Sequence, residues 1–448
     1  MAHLLKRKID TFLAEWKHNN AHLPLIVKGA RQVGKTASIM AFAEANYESV
    51  IAINFALQPK FKNICSDGFD VDSILKNISF LLPDSKLPQK KTLIFFDEIQ
   101  AYSACATSLK SFALDGNYDV ICSGSLMGIN YNEIESNSVG YKEDYEMHSM
   151  DFEEFLWAKS YSAQQIEGLF NKMIELKPLS TVEVSVLSDI FRDYMITGGM
   201  PAIVNNYIKN NNFSDTLGIQ KQLLLDYEED ITKYAIGLDK GKIKSIYNHI
   251  SIFLGKDNKK FQITKIAKNA RNRDYIGTVN WLNDAGIINI CYCLDSVELP
   301  LKGNYNPKSY KLYYKDTGLL IAALDDESQE DLRANRNFNT YKGAIYENIV
   351  GDMLVKQGYQ LYFYKNESSN LEMDFFVRDR DSLIPIEVKA NDNSTRSLNN
   401  LLDDNIKFKD IKFGIKLCNR NIGFNGKFYT FPYFLSFMIK RFLQDRNQ

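Results

Sequence analysis

Residues 25–36 read Leu-Ile-Val-Lys-Gly-Ala-Arg-Gln-Val-Gly-Lys-Thr, and this stretch decides the fold class of the N-terminal part of the chain. Its last eight residues match the pattern G-x-x-x-x-G-K-[ST], in which glycines let backbone N–H groups approach phosphates. An apolar strand precedes this loop and a helix-prone stretch, Ala37–Ala45, follows it, so a helix N-terminus would face the phosphates. A chance match is the alternative, and the flanking strand and helix argue against it. The predicted ATP-binding residues are Gly29, Ala30, Arg31, Gln32, Val33, Gly34, Lys35 and Thr36.

Within the loop, Lys35 is expected to reach the β- and γ-phosphates and Thr36 to bind Mg²⁺. Farther along the chain, an apolar strand ends in Asp97 and Glu98. A carboxylate at the end of such a strand can hold the Mg²⁺ shell, which is the role predicted for Asp97. Glu98 is predicted to act as the general base on the attacking water. The alternative is a buried strand with two solvated acids at its end. ATP and Mg²⁺ are therefore the predicted cofactors.

A further apolar run, Tyr118–Ser123, also ends in hydroxyl residues. A serine at this position can hydrogen-bond the attacking water or the γ-phosphate, and Ser123 is favoured over Ser125. The predicted catalytic residues are thus Glu98 and Ser123, with Thr36 and Asp97 as metal ligands.

Composition limits the class of protein. The chain has 448 residues, of which 45% are hydrophobic and 24% charged, with a net charge of −1, as in soluble globular proteins of about three domains. No apolar run approaches the ~18 residues of a membrane span, and the charged N-terminus does not resemble a secretory signal. Six scattered cysteines predict a reducing, cytoplasmic compartment. Any nucleic-acid surface must be a local basic patch.

The order of patterns predicts a multi-domain α/β protein. Strand-like runs alternate with helices in residues 1–160, which indicates a P-loop ATPase core with a parallel sheet. Residues 161–255 are predicted to form a helical lid, and 256–325 a winged-helix-like unit. Residues 325–339 are interpreted as a linker, and 340–448 as a C-terminal α/β domain with several strands.

The winged-helix prediction rests on a helix at 263–268, a second helix at 275–285 and strands beginning near 286 and 311. The second helix has Gly277, Asn280 and Asn283 outward and no arginine that could read guanine edges. A DNA reader and a protein–protein spacer therefore remain equally open. The locally basic residues that could neutralise phosphates are Lys256, Lys259, Lys260, Lys265, Lys268, Arg271 and Arg273.

In the C-terminal domain, an amphipathic helix at 341–357 carries Glu347 at the margin of its apolar stripe. Strand alternation predicts that Asp374, Glu387 and Lys389 share one sheet face, which Glu347 can join. Carboxylates for Mg²⁺ and a lysine beside the nucleophilic water form the Asp…Glu-x-Lys arrangement of restriction-type nucleases. The alternative is an ordinary half-solvated sheet face.

The whole chain resembles the AAA-type P-loop ATPases of bacteria and archaea that carry a C-terminal restriction-endonuclease-like domain of unknown role. The matching residues are Gly29–Thr36, Asp97–Gln100, Ser123–Ser125, Met150–Leu156, Gly198–Pro201, Tyr314–Leu319 and Glu387–Lys389. The resemblance implies an ATP-binding core, a helical lid, a winged helix and a nuclease-like end. Family members often place a basic residue directly after a Val-Gly pair, where this chain has Tyr141 followed by Lys142.

Two functions remain open at this point. ATP turnover could drive cleavage of nucleic acid by the C-terminal site. Alternatively, the chain could be an ATP-controlled switch that binds a protein or DNA partner, with the nuclease-like fold as a scaffold. An oligomer with an arginine finger from a neighbouring subunit is common in such ATPases. No membrane partner is expected.

Overall fold

The structure is a computed structural model, and the residues that it describes are 5–125, 138–213, 215–235, 239–256, 259–266, 271–324, 326–334, 339–366, 371–389, 395–404 and 406–446. The chain divides into two compact units. The first unit comprises residues 1–149 with 284–286, and the second comprises residues 150–283 with 287–448.

In the part of the first unit that is described, five parallel strands form one sheet. The strands are β1 (Leu25–Gly29), β2 (Ser49–Asn54), β3 (Thr92–Asp97), β4 (Asp119–Ser125) and β5 (Glu143–Glu146). The helices are α1 (Lys8–His18), α2 (Lys35–Asn46), α3 (Val71–Leu81) and α4 (Leu109–Asp115). The strand order is β2-β3-β4-β1-β5. Because parallel strands point the same way, the residues that follow β1, β2, β3 and β4 gather at one edge of the sheet.

The burial of β3 agrees with its place inside the sheet, between β2 and β4. All six of its residues are buried, as expected for a parallel strand covered by helices on both faces. Ile94 and Phe96 point to one face and pack in a core with Ile74 and Ile78 of α3, which lie one helical turn apart. Asp70 begins α3 by accepting a hydrogen bond from the Ser73 backbone N–H.

The second unit begins with helices and continues into a sheet. Its helices before the first strand are α5 (Phe152–Ala158), α6 (Ala163–Ile174), α7 (Thr181–Thr197), α8 (Pro201–Asn210), α9 (Thr216–Tyr234), α10 (Lys240–Leu254) and α11 (Ile276–Asp284). The later helices are α12 (Thr317–Ala322), α13 (Asp326–Arg333), α14 (Asn339–Lys356), α15 (Arg396–Asp403) and α16 (Ile439–Asp445).

The sheet of the second unit is mixed and has eight strands among the described residues. The strands are β6 (Ile288–Leu294), β7 (Tyr305–Tyr314), β8 (Leu361–Asn366), β9 (Leu371–Asp379), β10 (Ser382–Val388), β11 (Gly414–Cys418), β12 (Gly423–Phe424) and β13 (Phe428–Pro432). Their order is β12-β13-β11-β10-β9-β8-β6-β7. The predicted fold class is confirmed: a parallel-sheet α/β core is followed by helices and a mixed C-terminal sheet.

The strand pairing changes one aspect of the predicted organisation. Strands β6 and β7 were expected to belong to a winged-helix unit separate from the C-terminal domain. Instead, β6 pairs in parallel with β8, so both segments contribute to one sheet. The helix predicted at 263–268 is a short 3₁₀ helix, Ile263–Lys265, and residues 267–270 lie outside the described part. The domain limits at 160, 255, 325 and 340 stay a prediction.

The segment interpreted as a linker, residues 325–339, contains α13, and its place between two domains stays a prediction. Gln329 and Leu332 of this helix are buried. The many charged residues of the segment suggested a solvated linker, but they lie on a helix whose other side is covered. Burial of this side by tertiary packing decides the structure here, as is usual for short helices.

Two motifs of the family resemblance have a structural role within the second unit. A Cβ atom on Gly198 would lie 2.0 Å from an Asp316 side-chain oxygen, and one on Gly199 would lie 2.0 Å from the Met150 carbonyl. The buried Asp316 carboxylate accepts hydrogen bonds from the backbone N–H groups of Gly199, at 2.8 Å, and Gly318, at 3.0 Å. The motifs at 198–201 and 314–319 therefore serve close backbone packing.

Among the described residues, no helix has both the length and the apolar character that a membrane crossing requires.

Candidate functional site

The phosphate-binding loop joins β1 to α2, as the sequence predicts. Gln32 and Gly34 adopt left-handed backbone conformations, with φ of 62° and 98°. A Cβ atom on Gly29 would lie 2.3 Å from the Met147 carbonyl oxygen, so only glycine fits there. The loop thus has a defined shape and ends at the N-terminus of a 12-residue helix, where backbone N–H groups and the helix dipole favour an anion.

Lys35 lies inside this loop and is 7% exposed. Its Nζ donates to the carbonyl oxygens of Gly29, at 3.1 Å, and Ala30, at 2.8 Å. Burial lowers the pKa of Lys35 to about 8, while the charges of Glu98 and Asp97 act in the opposite direction. The ammonium group is therefore held by weak carbonyl acceptors at the place where phosphate oxygens are expected.

Asp97, at the end of β3, is a buried acceptor for groups from three neighbouring segments. The Thr36 hydroxyl lies 3.2 Å from each of its carboxylate oxygens, and the Asn54 side-chain amide donates at 2.9 Å. The hydroxyl of Ser123 also donates to this carboxylate. Strand register explains the meeting, because Asn54 pairs with Asp97 across β2 and β3. An exposed hydroxyl beside a carboxylate is a pair of hard oxygen ligands, so Thr36 and Asp97 fit Mg²⁺.

Glu98 follows directly and has a left-handed backbone with φ of 55°. Its carboxylate accepts a hydrogen bond from the side-chain amide of Gln100, and the Gln100 side-chain oxygen accepts one from the Ser125 backbone N–H at 3.2 Å. A non-glycine residue in this conformation costs energy and is often found at functional sites. The side chain predicted as the general base is thus held in place by a second side chain.

The structure brings together the polar side chains that we predicted from the sequence for the first unit. It adds two residues, Asn54 and Arg7, that the sequence analysis missed. Ser123 was predicted to bond water or phosphate; its hydroxyl donates to Asp97 here. Asn54 was missed, although a polar residue at the end of a strand next to β3 could have signalled it. Arg7 was also missed: its buried guanidinium donates to the carbonyl oxygens of Val33, at 2.7 Å, and His148, at 2.8 Å. No motif around Arg7 could have indicated this contact.

The basic residue two positions after the Val-Gly pair, Lys142, also has a defined contact. The Lys142 ammonium group lies 2.6 Å from the Asp144 carboxylate on β5. Lys142 is the basic residue that follows the Val-Gly pair in this chain, and within the first unit it forms this ion pair with Asp144.

The second candidate site is in the second unit, where Glu347 of α14 is almost fully buried. Its carboxylate lies 2.9 Å from the Lys259 ammonium group and 3.6 Å from that of Lys311, a buried residue of β7. The Tyr313 hydroxyl donates to it at 3.4 Å. Burial alone would raise the pKa of Glu347, but the charges of Lys259 and Lys311 hold it well below its usual range.

Asp374 of β9 adjoins Glu347, and its pKa shifts in the opposite direction. Burial and then the charge of Glu347 raise the pKa of Asp374 well above its usual range. One of its oxygens accepts a hydrogen bond from the Val388 backbone N–H at 2.8 Å. Shifts of two pKa values in opposite directions are typical of adjacent carboxyl groups whose charges interact.

Glu387 and Lys389, at the end of β10, pair with each other at 2.9 Å. Burial raises the pKa of Glu387. Burial opposes the charge on Lys389, but Glu387, Asp374 and Glu347 together raise the pKa of this lysine. The four residues predicted for a nuclease site therefore do lie near one another.

Two of these carboxylates pair with lysines in the structure. Within the described residues, no group of three His, Cys, Asp or Glu side chains could hold one metal ion. The metal site predicted from Asp374 and Glu387, with Glu347 beside them, stays a prediction. The Lys259 and Lys311 ammonium groups lie against Glu347, and that of Lys389 lies against Glu387.

Comparison with known proteins supports the assignment of the first unit. The AAA domain family matches residues 21–156. Two further families, each described as a domain of unknown function, match residues 188–330 (DUF8612) and 342–434 (DUF4143).

Individual proteins are similar over most of the chain. An uncharacterized protein of Haemophilus influenzae is 22% identical over 403 residues, which cover 86% of this chain and 87% of that protein. An uncharacterized protein of Methanocaldococcus jannaschii is 22% identical over 411 residues and covers 87% and 81%, respectively. Among solved structures, a Walker-type ATPase of Pyrococcus abyssi is 14% identical and covers 71% of this chain and 96% of that chain, with a TM-score of 0.43. The match over residues 21–156 includes the strand, loop and helix that the geometry assigns to phosphate binding, so this part of the chain is similar to AAA-type P-loop ATPase domains.

Proposed function

We propose that this protein hydrolyses ATP in a Mg²⁺-dependent reaction and that ATP turnover controls the binding of a partner. The observation that carries the first part is the Asp97 carboxylate, which gathers the Thr36 hydroxyl, Asn54 and Ser123 beside the phosphate loop. Glu98 stands next to it. Phosphoryl transfer requires polar and charged side chains that position the phosphates, the metal ion and the attacking water, and these residues are of that kind.

Each residue has a distinct part in the proposed reaction. The Lys35 ammonium group exchanges the carbonyl oxygens of Gly29 and Ala30 for oxygens of the β- and γ-phosphates. Thr36 and Asp97 hold Mg²⁺, which supplies charge neutralisation at the phosphates when it is bound. Glu98 accepts the proton of the attacking water.

The Asp97→Asn variant tests the metal part of this proposal. The amide lacks the charge that attracts Mg²⁺, so the Mg²⁺ concentration for half-maximal ATP hydrolysis should rise about 10- to 100-fold. Phosphate release measured across a Mg²⁺ titration gives this value, and excess EDTA should stop the wild-type reaction. The exposed Asp84, replaced by Asn, is the matched control. An unchanged Mg²⁺ requirement in Asp97→Asn would contradict the assignment.

For the second unit, the lysine pairs favour a partner-binding switch over cleavage. Glu347 and Glu387 are neutralised by lysines, which leaves these carboxylates paired rather than available to a metal ion. A nucleic-acid partner has support from exposed basic residues in the segment that precedes α11. These residues are Lys256, Lys265, Arg271 and Arg273. We also propose a reducing, cytoplasmic location, because all six cysteines are free.

Cleavage of nucleic acid remains the second candidate, because Glu347, Asp374, Glu387 and Lys389 meet at one place. We expect purified full-length protein to leave labelled single- and double-stranded DNA and RNA intact with Mg²⁺, with or without ATP. The measure is the cleavage that wild type shows beyond the Asp374→Ala variant, since a contaminating nuclease would act equally in both. Asp381→Ala, at an exposed site, is the matched control. Cleavage by wild type and Asp381→Ala but not by Asp374→Ala would replace the switch proposal with a nuclease.

A further inference from the structure

Gln100 lies in a short 3₁₀ helix, Ile99–Ala101, directly after the two acids that end β3. Its side-chain amide contacts two groups that come from different strands. The nitrogen donates to the Glu98 carboxylate, and the oxygen accepts from the backbone N–H of Ser125 at the end of β4. The side chain of Gln100 therefore connects the ends of β3 and β4.

The chemistry of these contacts determines which way the amide faces. A backbone N–H can only donate, so the oxygen of Gln100 must face Ser125. The amide nitrogen then has to face Glu98, whose ionised carboxylate can only accept. A hydrogen bond to a charged acceptor is among the stronger ones in proteins. The Ser125 N–H thus fixes the orientation of the Gln100 amide, and the amide in turn fixes the position of the Glu98 carboxylate.

The left-handed backbone at Glu98 makes this support necessary. With φ of 55°, the carboxylate does not continue the alternation of β3 but turns with the chain into the 3₁₀ helix. A side chain at such a turn needs a partner to keep one position, because rotation about its side-chain bonds is otherwise free. Gln100 is the partner that the structure provides.

The end of β4 contacts both acids. Ser123 donates its hydroxyl to Asp97, and Ser125 donates its backbone N–H to Gln100, which in turn donates to Glu98. Asp97 is therefore connected to β4 through Ser123, and Glu98 is connected to it through Gln100 and Ser125, two residues farther along β4. A displacement of this strand end changes the metal-binding acid and the proposed general base together.

We propose that Gln100 is a positioning residue for ATP hydrolysis, which holds the Glu98 carboxylate toward the attacking water and couples it to the end of β4. This inference rests on the proposed role of Glu98 and deepens it. Gln100 itself need not touch ATP, so its removal should affect turnover rather than binding.

Steady-state kinetics of the full chain test the proposal. Gln100→Ala should lower kcat by about 10- to 100-fold, the effect expected when a reacting group is misplaced by about 1 Å, with KM for ATP within about twofold of wild type. Gln100→Glu should be slower still, because it keeps the acceptor for Ser125 but presents a negative oxygen to Glu98. Gln89→Ala, an exposed glutamine of the same unit, should match wild type.

A double-mutant cycle separates positioning from a general effect on folding. When Glu98 is already Gln, adding Gln100→Ala should change kcat by less than about twofold, because the two residues act as one unit. A further tenfold loss in the double variant, or a wild-type kcat in Gln100→Ala, would overturn the inference. If Glu98→Gln itself leaves hydrolysis unchanged, the proposed function fails instead, so the two failures are distinguishable.

Discussion

The Lys35→Ala variant is expected to lose measurable ATP binding. Lys35 is the only residue of the loop's Gly-Lys-Thr end that brings a positive charge, and its ammonium group is buried among carbonyl oxygens 2.8 and 3.1 Å away. In that low-dielectric position, its attraction to phosphate oxygens is weakly screened. Removal of the charge leaves the phosphate oxygens without the ammonium group that the loop supplies. Titration calorimetry with ATP and Mg²⁺ measures the loss.

Two further measurements make this result specific. Lys91→Ala, at a lysine whose side chain is 57% exposed, should bind ATP as wild type does. The pKa of Lys35 is lowered to about 8, so the wild-type ammonium group loses its proton as pH rises above 8. ATP needs the charged form, so wild-type affinity should be constant below pH 8 and fall by up to about tenfold per pH unit above it. Wild-type affinity in Lys35→Ala would contradict the assignment of the loop.

The phosphate loop could be predicted because its information is local. The strand, the glycines and the helix lie within residues 25–46, and the structure has β1 and α2 there with shifts of one or two residues at their ends. The acids at the end of β3 were also predictable, since the apolar run Leu93–Phe96 directly before them indicates a buried parallel strand. The meeting of Thr36 with Asp97 follows from the topology, because the carboxyl ends of parallel strands share an edge.

Contacts between distant segments could not be predicted in the same way. Arg7 donates to Val33 and His148, which are 26 and 141 residues away, and no periodicity encodes such a choice. The Gln100 contacts were missed for a related reason: its neighbours are a side chain two residues away and a backbone N–H 25 residues away. Backbone groups leave no mark in a sequence.

The C-terminal sheet shows the limit of strand alternation as a guide. Alternation correctly placed Asp374, Glu387 and Lys389 near one another. It carried no information about Lys259 and Lys311, which come from a segment preceding β6 and from β7 and which neutralise Glu347. Whether a buried carboxylate binds a metal or a lysine depends on those partners, and the pairing of β6 with β8 brings β7 into the same sheet.

The Glu98→Gln variant distinguishes binding of ATP from its hydrolysis. Glutamine has nearly the same shape as glutamate, so the phosphate loop, Lys35 and the Thr36–Asp97 pair stay as they are, and ATP affinity should remain within about twofold of wild type. The amide cannot accept the proton of the attacking water, and loss of a general base typically slows a reaction by 10²- to 10⁴-fold.

We therefore expect kcat for Glu98→Gln to fall on the order of 10²-fold or more. Single-turnover hydrolysis of bound ATP measures the chemical step directly, and calorimetry on the same sample reports the affinity. Glu48→Gln is the matched control, because Glu48 lies in the same unit, with its side chain 63% exposed in a surface pair with Lys91. Slow turnover with intact affinity would place the proton acceptor at Glu98, whereas unchanged turnover would move the catalytic role to another residue. A variant that lost both affinity and turnover would instead show that Glu98 shapes the nucleotide site, and the Gln100 contact would then act on binding as well.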